Sequence, residues 1–170
     1  MTGLLGTIEQ YLISAGAMPV LQEDTLVSNL TVAGITYSCN FWADDDQLGM
    51  LAEWCEGVPM DRFDETHDLL VRLVNAGDGA GQTLLNRRTG QVVRRATVDL
   101  SMVTATPEKI GMMVETILRS FGGKMKLMKR VLDGAVTPDS AVKMVEESTK
   151  EASAQRMDQL RQLFGTDEAA

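Results

Sequence analysis

Apolar residues recur along this chain with two periods, about 3.6 and 2, and the switches between them mark its elements. Leu4, Leu5, Ile8, Tyr11 and Leu12 follow the helical period, which stops at Gly16 before Pro19. Leu26, Ser28, Leu30 and Val32 then alternate on one face of a strand. After an Ala33-Gly34 turn, Ile35, Tyr37, Cys39 and Phe41 share one face of a second strand. The turn-forming stretch Ala43-Asp44-Asp45-Asp46-Gln47 precedes a third alternating run, Leu48, Met50, Ala52 and Trp54, which ends near Gly57-Val58-Pro59. Three strands joined by short turns predict an antiparallel meander.

From Asp61 the helical period returns. Phe63, His67, Leu70 and Val74 lie on one stripe with Leu69 and Leu73 beside it, and Asn75 and Gly77 are suited to end the helix. Beyond the glycine-rich Gly77-Asp78-Gly79-Ala80-Gly81, Thr83 and Leu85 begin a strand, Thr89-Gly90 turns it, and Ala96, Val98, Leu100 and Met102 return on one face. Thr106-Pro107-Glu108 then sets a capping hydroxyl before proline at the first helical position. The buried stripe of this helix is Ile110, Met113, Val114, Ile117, Leu118 and Phe121. Gly122-Gly123 is expected to weaken or bend it, at about 1 kcal/mol per glycine relative to alanine, before helical spacing resumes through Met125, Met128 and Leu132.

Thr137-Pro138-Asp139 repeats the same start signal and opens a last helix, whose polar middle is followed by Met157, Leu160 and Phe164. So narrow a stripe predicts that residues 137–146 dock and that the segment beyond Ser148 projects, with Met157, Leu160 and Phe164 available to a partner or a second subunit. The expected fold is α+β, with a meander and a hairpin in one antiparallel sheet packed by helices in the order α-β-β-β-α-β-β-α. One domain spans residues 1–134 and a helical C-terminal arm spans residues 135–170.

Composition narrows the function classes. With 170 residues, 44% of them hydrophobic and 24% charged, the chain suits one packed domain with an appendage. Even its richest apolar windows are interrupted by charges such as Glu9 and Glu115, which excludes a membrane span. The first residues lack a basic n-region, and two cysteines, Cys39 and Cys55, both in contexts that read as strand interior, suit reduced thiols. A cytoplasmic protein is expected. The net charge of −8 is uneven: residues 1–68 hold twelve acids against the single base Arg62. A pI near 4.6 argues against a nucleic-acid partner.

Candidate chemistry is sparse. His67, the only histidine, would be the default acid or base of an enzyme, with Asp61, Asp64 and Asp68 as neighbouring carboxylates. No nucleophile stands beside it at a recognisable spacing, so no catalysis is expected. One histidine and two separated cysteines cannot close a zinc site without carboxylates. Asp44-Asp45-Asp46 lacks the glycine and distal glutamate of a calcium loop, and the glycine-rich stretch follows a helix where a dinucleotide fingerprint follows a strand. No metal or cofactor is therefore expected. Lys124, Lys126, Lys129 and Arg130 crowd a helix end, where the helix dipole favours cations. Eleven methionines stand out, with Met112, Met113, Met125 and Met128 grouped on the third helix and its extension. Methionine serves both core filling and adaptable binding surfaces.

The element order, with the stretch from Asp68 to Met102, resembles the YbjN family and, at the level of fold, the type III secretion chaperones. The residues carrying the likeness are Leu69 to Asn75, the hairpin Thr83-Leu84-Leu85-Asn86-Arg87-Arg88-Thr89-Gly90-Gln91-Val92-Val93, and the helix start Thr106-Pro107-Glu108-Lys109-Ile110. The resemblance implies a small, acidic, dimer-prone, non-enzymatic protein that binds other polypeptides. The expected function is thus a chaperone-like or regulatory protein-binding module, with Met112, Met113, Met125, Met128, Met157, Leu160 and Phe164 as candidate partner-binding residues. The alternatives are an oligomer-forming structural or phage-type component, or an enzyme with a pocket around His67.

Overall fold

A computed structural model describes residues 3–76 and 81–164, except the side chains of Asn75 and of residues 156–164. Helix α1 (Leu4–Ser14) leads into strands β1 (Val20–Gln22), β2 (Thr25–Val32), β3 (Ile35–Asp44) and β4 (Gln47–Trp54). A 3-10 turn (Met60–Arg62) and helix α2 (Phe63–Asn75) follow, then the hairpin of β5 (Gln82–Leu85) and β6 (Val92–Asp99) and the long helices α3 (Pro107–Leu132) and α4 (Pro138–Phe164). The six strands form one antiparallel sheet in the order β1-β2-β3-β4-β6-β5. The chain therefore leaves the meander at β4, crosses through α2 and returns at the far edge.

The pleat sorts the strands into two faces. Leu26, Phe41, Met50 and Ala96 stand in one row across β2, β3, β4 and β6, and all four are buried. One residue further along, Val27, Asn40, Leu51 and Arg95 make the corresponding row of the opposite face, where Thr31, Thr36, Arg95 and Thr97 are exposed. The apolar face receives Ile8, Tyr11 and Leu12 of α1 and Ile110, Val114, Leu118, Phe121, Met125 and Met128 of α3, in one continuous core. Ala33 and Gly34, at φ 52° and 77°, form the tight turn that joins β2 to β3 in the register their alternation requires.

Helix α3 starts as its cap signal predicts: Thr106 Oγ1 accepts from the Lys109 amide at 3.4 Å, with Pro107 at the first position. Its glycines do something other than bend it. A Cβ on Gly122 would collide with the Tyr37 hydroxyl and lie 2.9 Å from Ile35 Cδ1, and one on Gly111 would lie 2.9 Å from Tyr11 Cε2. Both mark close approaches, one to β3 and one to α1. Tyr37 uses the closeness to donate a hydrogen bond to the Leu118 carbonyl, 3.1 Å away and buried. The local cost of glycine is offset by packing, and the helix runs through both positions.

Several expectations need correction. Strand β1 was not anticipated, because three residues exposed on both faces carry no alternation. Strand β6 begins at Val92, so its buried set is Val92, Arg94 and Ala96; Met102 lies beyond it and is 94% exposed. The buried stripe of α2 is centred on Thr66, Leu69, Leu70 and Leu73, which leaves His67 half-exposed. Cys55 follows β4 in an exposed turn, whereas Cys39 is buried within β3. The first turns of α4 dock through Ala141 and Val145, Ser140 N donating to the Thr137 hydroxyl at 3.3 Å, and residues 150–155 are exposed.

Candidate protein-binding surface

The sheet ends on β5, and that edge has an unusual neighbour. The Asn86 amide donates to the Gln91 carbonyl at 2.8 Å, so Asn86 faces β6, as do Leu84 and Gln82 by the antiparallel alternation. The amides and carbonyls of Thr83 and Leu85 therefore point outward, and among the described residues no strand lies beyond them. Beside this edge runs a groove of about 220 Å³ between α2 and β5, lined by His67, Leu70, Val71, Val74, Thr83 and Leu85, with Leu84 at its lip. Val71 is 45% and Leu84 55% exposed.

The groove is held open by contacts around it. Buried Arg94 donates through Nη1 to the Thr83 hydroxyl at 2.8 Å, which fixes β5 on the sheet. Arg72 pairs with Asp139 at 2.5 Å and holds α2 to α4, which keeps the Asp139 carboxyl below the usual carboxylate range. Arg62 grips Glu65 at 2.7 Å and donates to the Leu132 carbonyl, joining the start of α2 to the end of α3. At the other end, the Phe63 and His67 rings stack at 6.3 Å and the Arg87 guanidinium sits 5.5 Å over Phe63. His67 thus packs against a ring, and none of Asp61, Asp64 and Asp68 lines the groove; Asp68 Oδ1 is 3.8 Å from His67 Nδ1 on the outside.

The methionines divide. Met125 and Met128 are core residues, 1% and 0% exposed, because α3 turns that stripe onto the sheet, so they are removed from the partner-binding set. Met112 is 71% exposed beside a shallow hollow between α1 and α3, and Met113 is half-buried. The side chains of Met157, Leu160 and Phe164 lie outside the described residues. The basic residues at the end of α3 are dispersed rather than pooled. Lys124 is buried, Lys126 donates to the Ala33 carbonyl at 3.1 Å, and Lys129 pairs with Glu56, which raises its pKa. Among the described residues no group of three metal-ligating side chains occurs, and no helix is long and apolar enough to cross a membrane.

Val71, Leu84 and the groove between them were not singled out from the sequence. The available signal was Leu84-Leu85: two successive leucines in a strand put apolar side chains on both faces of an edge.

No protein-family model and no curated protein matches the sequence. Among solved structures, YbjN from E. coli, described as a proposed transcription regulator, superposes with a TM-score of 0.54. The match is 13% identical and covers 78% of this chain and 94% of that one. The chain has a YbjN-like fold. An uncharacterized protein from Methanothermobacter thermautotrophicus aligns at a TM-score of 0.49 and 11% identity, over 74% of this chain and 96% of its own. The YbjN-like fold accounts for the sheet and its helices; the α2/β5 groove is read from this chain's own residues.

Proposed function

We propose that the protein is a non-enzymatic, cytoplasmic polypeptide-binding module that takes an extended segment of its partner along β5. The observation that carries this reading is the open edge at Thr83 and Leu85 with an apolar groove alongside. An added strand gains main-chain hydrogen bonds at those two residues, and its alternate side chains fall into the groove against Val71 or outside beside Leu84. A regulatory or chaperone-like role then acts through a protein partner, in keeping with the net charge of −8. The half-exposed His67, stacked on Phe63, supports a packing role for the one histidine.

The test is selection of peptides from a display library, counter-selected on a Val71→Asp, Leu84→Asp variant. Binders that are apolar at every second position, and that slow amide exchange at Thr83 and Leu85, are expected. Binders retained by the double variant, or exclusive capture of nucleic acid, would rule the reading out. A second copy is the competing occupant. Two β5 edges can pair antiparallel with Leu84 facing Leu84 across a two-fold axis, and light scattering with and without Leu84→Asp distinguishes that case.

A further inference from the structure

The hairpin that ends the sheet concentrates positive charge. From Gln82 to Val98 the chain carries four arginines and no acid, although the whole sequence has 24 acids and 16 bases. The four arginines are placed differently. Arg94 is buried against Thr83, and Arg95 turns inward over the open face of the sheet, 6.0 Å from the centre of the Trp42 ring. Arg87 and Arg88 are exposed at the hairpin tip, and neither forms an ion pair among the described residues. Of the carboxylates nearby, Glu53 accepts from Gln91, Glu65 pairs with Arg62, Asp68 lies beside His67 on the outside, and Asp61 and Asp64 pair with neither arginine. The tip is braced from within and from below. The Asn86 carbonyl accepts from the Gly90 amide at 2.9 Å, Asn86 Oδ1 accepts from the Arg88 amide at 2.9 Å, and the Gly90 carbonyl accepts from the Val58 amide at 2.8 Å. Arg87 lies over Phe63, which stacks on His67 of the groove wall, so its guanidinium stands where the α2/β5 groove ends.

We propose that the polypeptide segment taken up along β5 is acidic at its N-terminal end, an alternating apolar strand preceded by carboxylates that Arg87 and Arg88 receive. This rests on the strand-binding reading and names the chemistry of its partner. Antiparallel addition is the more stable pairing, and β5 runs towards the tip, so the residues that precede an added strand are the ones that meet the two guanidiniums. A guanidinium takes a carboxylate through paired hydrogen bonds, and a tip fixed before binding loses little freedom in doing so. The charge also sets the register. An apolar strand alone can slide along a short edge, whereas an anchored acidic end leaves one position for its side chains in the groove.

The experiment is fluorescence anisotropy of the full chain with peptides of alternating valine and threonine that carry two glutamates, two glutamines or two lysines at the N-terminal end. The glutamate peptide is expected to bind about tenfold tighter than the lysine peptide, with the glutamine peptide between them and the spread narrowing as salt rises. Moving the glutamates to the C-terminal end is expected to remove their advantage. The double variant Arg87→Glu, Arg88→Glu is expected to reverse the order, and Arg88→Glu alone, which leaves Arg87 on Phe63, to reduce the advantage even if the double variant unfolds. Arg95→Glu, at a side chain held over Trp42, leaves the order as it was. Equal affinities for the three peptides, equal affinity with the glutamates at either end, or an advantage undiminished in Arg88→Glu overturns the proposal. If Val71→Asp, Leu84→Asp still abolishes binding in that case, the strand-binding reading stands without it. Binding that survives Val71→Asp, Leu84→Asp, or no binding of any of the peptides, overturns both. Self-association of the chain that Arg88→Glu abolishes would make a second copy the occupant and overturns the proposal as well.

Discussion

The two faces of the sheet are built from the same strands and differ by a single residue step. On the helix-covered face the row Leu26, Phe41, Met50 and Ala96 is continuous and apolar, and Gly122 on α3 lets that helix approach the sheet closely. On the other face the row Val27, Asn40, Leu51 and Arg95 mixes apolar and polar groups, and Trp42 lies where a Cβ on Gly49 would be. The first face tolerates little change because close-packed neighbours relax only partially; the second tolerates much because water replaces lost contacts. Stability and recognition are thereby separated. They meet only at β5, where Leu85 faces the helices and Leu84 faces outward.

The separation can be broken most severely at Gly122. A leucine there must displace Tyr37 and Ile35, and about 4 kcal/mol or loss of cooperative unfolding in urea is expected, against about 0.5 kcal/mol for Thr36→Leu on the open face. Similar costs for the two substitutions would mean that the faces are equally packed. The methionines sharpen the contrast with less force. Met128→Ala is expected to cost about 2 to 5 kcal/mol, and Met112→Ala no more than about 0.5 kcal/mol, in the same urea titration.

Alkaline pH probes the covered face. Burial raises the Cys39 thiol from 9.0 to about 12, with a smaller contribution from Cys55, and raises the Tyr37 and Tyr11 hydroxyls from 10.0 to about 12. The folded state holds these protons longer than the unfolded chain. Their stabilising contribution is thus complete below about pH 9 and is lost as pH rises towards 12, by at most about 1.4 kcal/mol per group and pH unit. The thermal midpoint should fall through that window, and Cys39→Ala should remove its earliest part. A midpoint flat to pH 11 would contradict the buried placement of these groups. The smallest effect on stability belongs to the edge: Leu84→Asp is expected to shift unfolding by about 0.5 kcal/mol yet abolish binding of selected peptides. A large loss of stability would mean that Leu84 belongs to the core.

Local chemistry made much of the fold legible from the sequence. Alternation in β2, β3 and β4 put the right residues on one face, Ala33-Gly34 marked its hairpin, and Thr106-Pro107 marked the start of α3, because each signal resides within a few neighbouring residues. What depends on distant partners was not legible. The period of α2 allowed a stripe through His67, and docking beside α3 and α4 chose the one through Thr66 instead. Met112 and Met128 are chemically alike, and only the contact of α3 with the sheet buries one and exposes the other. Gly122 resembled a helix breaker until Tyr37, 85 residues earlier in the chain, supplied the reason for a missing side chain. The placement of β6 beside β4, which makes β5 an edge and opens the α2 groove, is likewise a pairing between segments far apart in sequence. Such pairings are decided by which surfaces exclude water together, a property that no single segment carries.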